Sequence, residues 1–161
     1  MRAGPTITYP RALWAAAVTS IVLAACGSGG PAAQRAAFRS AFSRQRASVN
    51  RIASELRATL EQAGPDPDAL LADSFSALGA QAAQKAGTIE ELAHPAADNT
   101  RVRALGSALL AVATGLDHLA TAATDHVPAA ARAELKALRA DAANVMQAEA
   151  LLAQAMGLTA G

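Results

Sequence analysis

Cysteine is nearly missing. One residue of 161, Cys26, carries a thiol, so no disulfide can form within the chain. Aromatic side chains make up 3% of the sequence, and two of the five, Tyr9 and Trp14, precede Cys26. Beyond it only Phe38, Phe42 and Phe75 remain, too few to build stacking platforms for bases or sugars. Charged residues are 17% with a formal net charge of +1, which excludes the global field that draws in nucleic acid. No Gly-x-Ser-x-Gly elbow occurs, and this removes the strand-turn-helix signal of a serine hydrolase. The glycine-rich run Gly27-Ser28-Gly29-Gly30 lacks the lysine of a phosphate-binding loop. What is abundant is alanine, 46 of the 161 residues, a composition that favours helix and disfavours sheet.

The N-terminal region has a separate character. Arg2 and Arg11 stand in the first 11 residues without an acid, residues 12–24 are almost wholly apolar, and small residues follow. These are the three regions of a secretory signal. The apolar run is 13 residues long, short of the roughly 20 needed to cross hydrocarbon. Its end, Leu23-Ala24-Ala25-Cys26, resembles the lipobox of bacterial lipoproteins: an aliphatic residue, two small ones and a cysteine. That resemblance implies cleavage between Ala25 and Cys26 and a diacylglyceryl thioether on Cys26. A palmitate-type acyl chain added at the new N-terminus would fit the same expectation. Two chains matter physically, because one acyl chain holds a protein only marginally whereas two make release rare. The segment 26–31 then reads as lipidated cysteine plus a short tether, and 136 residues from Cys26 onward are enough for one modest core.

Every proline beyond Cys26 (Pro31, Pro65, Pro67, Pro95, Pro128) falls between apolar-periodic stretches, as helices require. The cuts predict helices over 32–62, 67–93, 99–126 and 129–156, with a tail at 158–161. Asp66 with Pro67, Asp98 or Asn99, and Gly157 are suited to start or stop them. Apolar residues recur at 3.5-residue spacing in each segment, for example Val102, Leu105, Leu109, Val112, Leu116 and Leu119. The expectation is an all-α fold, an up-down-up-down antiparallel four-helix bundle over 32–157, folding as a monomer. Small residues beside the seams predict close packing with little room for a large internal cavity.

Three polar residues occupy seam positions: Gln45, Lys85 and Glu149. Counted at 1.5 Å per residue, all three fall roughly 26–30 Å from one end of such a bundle. Two readings stand: each snorkels to water from a narrow bundle, or Lys85 and Glu149 pair inside with Gln45 as a neutral partner, a buried polar layer fixing register. The histidines His94, His118 and His126 show neither a His-x-x-x-His nor a Glu-x-x-His pattern, so no metal site is expected and no cofactor is implied. His126, near a helix C-terminus, suits the helix dipole.

Charge is unevenly distributed. Residues 32–62 hold six arginines against Glu55 and Glu61, while the rest of the chain beyond Cys26 is net acidic. With the first helix starting beside a membrane, Arg35, Arg39, Arg44 and Arg46 could touch anionic headgroups; charge balance with acids on neighbouring helices is the alternative. As a whole the chain is similar to the small, alanine-rich, all-helical envelope lipoproteins of actinobacteria, mycobacteria included. Many of those have no assigned activity; the expectation here is a non-enzymatic binding or scaffold protein on the extracytoplasmic face of the cell membrane, its partner an envelope protein. The alternative is a carrier of lipid or of a small apolar ligand between its helices.

Overall fold

The computed structural model describes residues 30–63 and 71–158; Ala25, Cys26, the tether before Gly30, and Asp66 with Pro67 lie outside the described residues. Within them the protein is all-helical. Helix α1 spans Pro31–Ala63, α2 Ala72–Glu90, α3 Asn99–Thr124 and α4 Pro128–Ala155, with a 3-10 turn at Ala96–Asp98 before α3. Pro31 and Pro128 each open a helix, where a missing N–H costs nothing. Helix α2 stops at Glu90, a few residues before the expected 93. The cause is local, since Pro95 (φ −61°, ψ 144°) is extended and disfavours helix in the residue before it.

The helix ends are closed by backbone. At the end of α4 the N–H of Leu158 donates to Ala153 O (2.9 Å) and that of Gly157 to Gln154 O (3.0 Å), with Gly157 at φ +64°. This is a Schellman closure with glycine at the left-handed position. Helix α3 ends the same way, Val127 N–H to Ala122 O (2.9 Å) and His126 N–H to Ala123 O (3.3 Å). The left-handed position there is His126, at φ 55°. Asp98 occupies the N-cap position of α3 without making a side-chain cap hydrogen bond, because its carboxylate turns inward.

The periodic positions supply the core. Phe38, Phe42, Val49, Ile52 and Leu56 of α1 are buried with Phe75, Leu78 and Ile89 of α2, and with Leu135, Leu138, Val145 and Leu152 of α4. Helix α3 is the most enclosed, burying twelve residues including two glycines. The glycines explain its central place. A Cβ at Gly106 would strike the Glu90 side chain of α2, and one at Gly115 would lie 2.9 Å from Leu138 Cδ2 of α4. Gly79 of α2 in turn faces Ala113 and Leu116 of α3. The α2–α3 and α3–α4 seams are consequently the close ones, and α1 packs less tightly against α2 and α4. By length and composition alone α3 with its preceding turn could cross a membrane, but half of that stretch is buried in the bundle.

Candidate functional site

The three polar seam residues meet different partners. Lys85 Nζ donates to Gln45 Oε1 at 2.9 Å across α1 and α2. Glu149, buried on α4, accepts a charge-assisted hydrogen bond from Arg46 Nε on α1. The layer is therefore two pairs, each tying α1 to a neighbour, in place of a Lys85–Glu149 pair. One arginine stands out. Expected at a membrane surface, Arg46 is drawn inward, its side chain 17% exposed and that of Glu149 9%. A buried carboxylate without a cation would be costly, which is why Arg46 bends across the seam. Sequence periodicity missed this because Arg46 sits beside the α1 seam, next to Gln45, and only its length lets it reach Glu149.

The other arginines of α1 remain at the surface. Arg39 Nη2 donates to Gly157 O at 3.1 Å, placing a cation on the negative end of α4. Arg44 Nη1 donates to Ser40 Oγ at 3.1 Å, and Arg35 is exposed.

A second polar cluster gathers where α2 hands over to α3. His94 Nδ1–H donates to Leu92 O at 2.6 Å, and its Nε2 lies 3.4 Å from Asn99 Oδ1. The ring packs 5.7 Å from that of Phe38, and Gln34 Nε2 donates to His94 O at 3.3 Å. Asp98 is buried; its Oδ1 accepts from Arg101 at 3.4 Å, and its Oδ2 has no partner among the described residues. His118, by contrast, is exposed and stands 3.6 Å from Glu134, far from His94 in the fold. Among the described residues no three His, Cys, Asp or Glu side chains converge on one point.

A concavity runs along the looser seam between α1 and α4. One part, of about 710 Å³, is bordered by Arg46, Asn50 and Ser54 of α1 and by Met146, Glu149, Ala150 and Gln154 of α4. A second part, of about 430 Å³, continues it past Met146 to Arg57, Leu60 and Glu61 on α1 and Arg139 and Ala143 on α4. Its origin is in the sequence of the two helices: neither α1 nor α4 contains a glycine. At their contact α1 presents Arg46, Asn50, Ser54 and Arg57, polar side chains that form no continuous apolar seam with α4. Beneath the groove the described residues leave little space. The space among Ile52, Leu56, Leu109, Val112 and Val145 is about 10 Å³, about a single probe sphere.

Comparison with protein-family models, with curated proteins and with solved structures finds no match.

Proposed function

We propose that this chain is a lipid-anchored, non-enzymatic binding module of the cell envelope, held by Cys26 on the extracytoplasmic face of the membrane. Its four helices run up-down-up-down, with the α1–α4 groove as the binding surface. The groove above a core with little space is the observation that carries the binding reading. A carrier holding ligand between its helices needs several hundred cubic ångströms inside, whereas the space among the core residues beneath this groove is about 10 Å³. The antiparallel order is supported by paired contacts. Gln34 meets His94 and Gln45 meets Lys85, so ascending α1 descends α2; Arg39 meets Gly157 and Arg46 meets Glu149, so it also descends α4.

The anchor rests on Leu23-Ala24-Ala25-Cys26. Mass spectrometry of protein extracted from membranes should find an acylated Cys26 as the first residue, and Cys26→Ala should leave the chain unanchored. Recovery of a mature protein that retains residues 1–25 would overturn the anchor. Crosslinking in intact cells through the groove should capture an envelope protein; capture confined to the opposite, α2–α3 face would overturn the assignment of the binding surface.

A further inference from the structure

We infer that the α1–α4 groove receives an amphipathic helix of a partner protein, one with a small-residue or apolar stripe flanked by acidic side chains. This rests on the binding-module reading of the groove, and not on the anchor at Cys26. Shape is the first argument. The groove follows α4 from Arg139 to Gly157, roughly 27 Å at 1.5 Å per residue, the length of a helix of about 18 residues. It is an open trough rather than an enclosed pocket, so it would leave much of a small molecule in water, whereas a helix lays only one face into its receptor.

The floor is the second argument. Ala142, Ala143, Ala150 and Ala153 line it, and side chains this short let a third backbone approach as closely as α3 approaches its neighbours. Met146, 57% exposed, stands at the middle of the trough where its two parts join. An unbranched thioether there can adjust to the shape of an incoming side chain.

Charge selects the chemistry of the flanks. Arg46 and Glu149 neutralise each other near the middle, one helical turn from Met146. At the upper end Arg57 has only a solvent-exposed pair with Glu61, which contributes little. Arg139 makes no hydrogen bond or ion pair among the described residues. Beyond the Arg46–Glu149 pair the trough thus offers two guanidiniums, Arg57 on the strongly basic α1 and Arg139 on α4, against the one carboxylate of Glu61. A second copy of this chain is a poor occupant, because Asp73, Asp117 and Asp125 cluster across α2 and α3 instead of flanking an apolar stripe on one helix.

The test uses the full chain in phosphatidylcholine nanodiscs and two synthetic helices of about 18 residues. They share an alanine–leucine stripe and differ only in carrying glutamate or lysine on the flanks. Fluorescence anisotropy at low salt should show the glutamate peptide bound at least about tenfold more tightly than the lysine peptide, because like charges juxtaposed at a contact repel. Arg57→Glu with Arg139→Glu should reverse the preference. Ala150→Trp, and independently Ala143→Trp, should abolish binding; both positions are exposed, and unchanged helical circular dichroism checks that each variant folds. Equal binding of the two peptides, or binding that survives both tryptophans, would overturn the inference. So would displacement of the bound peptide by phosphatidylglycerol vesicles, which would assign the trough to lipid, or closure of the trough by self-association seen in sedimentation. Mass spectrometry at Cys26 fails or succeeds independently of all these outcomes.

Discussion

Arg46 of α1 and Glu149 of α4 form an ion pair in which both side chains are largely withdrawn from water, and they do so at the border of the α1–α4 groove. The pair holds together two helices that pack loosely elsewhere. It also fixes their register, since a shift of one residue on either helix would turn a charge toward the apolar core.

Removing either partner should therefore be expensive. Arg46→Met or Glu149→Leu alone should cost about 3–5 kcal/mol, and the double variant should lie near the wild type, because the penalty belongs to the uncompensated charge. Urea unfolding of the four proteins measures the coupling. Lys85→Met combined with Glu149→Leu should instead be additive within about 0.5 kcal/mol, since Lys85 is bonded to Gln45 and Glu149 to Arg46.

The left-handed residue that closes α3 is His126, where a Cβ is disfavoured. His126→Gly should stabilise the protein by about 1 kcal/mol and raise the melting temperature by a few degrees. His126→Val should lower it, a β-branched residue being a poorer fit to positive φ. Thermal unfolding followed at the helical circular-dichroism minimum reads both.

Glycines at close seams and glycines at the surface should respond oppositely to the same change. Nothing lies within 4 Å of a Cβ built on Gly87 in α2, so Gly87→Ala should add about 0.5–1 kcal/mol of helix stability. At Gly115 the added Cβ would fall 2.9 Å from Cδ2 of the fully buried Leu138, and Gly115→Ala should cost about 1–3 kcal/mol by overpacking. Denaturant midpoints for the two variants should move in opposite directions.

Adjacent leucines on α3 give the sharpest test of which face is inside. Leu109 is 0% exposed and Leu110 45%. Leu109→Ala should cost about 2–5 kcal/mol through lost contacts and a cavity, whereas Leu110→Ala should change stability by no more than about 0.5 kcal/mol. Chemical denaturation of both variants compares them directly.

Much of this architecture is legible along the chain. Alanine content, proline placement and the 3.5-residue recurrence locate four helices to within a few residues wherever the structure describes their ends. Every member of the α3 seam from Val102 to Leu119 is buried, because a repeat that returns each side chain to one stripe leaves the helix a single way to hide it. Gly157 closes α4 as its backbone freedom suggests. The 3-10 turn before α3 was not legible, nor was the inward carboxylate of Asp98. Both depend on how Pro95 aims the chain into α3, and no short pattern of residue types encodes that direction.

By itself, then, the sequence determined the helical class, the helix count and the identity of the buried faces, all consequences of local propensity and periodic burial acting within single segments. It also placed Gln45, Lys85 and Glu149 on one level, since height along a helix is only rise per residue. The tertiary structure decided who meets whom. Which helices lie side by side, and hence whether Glu149 faces Lys85 or Arg46, depends on the order of packing around α3. The groove arose the same way: the glycine-free α1 and α4 meet through arginine, asparagine, serine and methionine, and whether such a face is covered or left open is settled only when two helices are brought together.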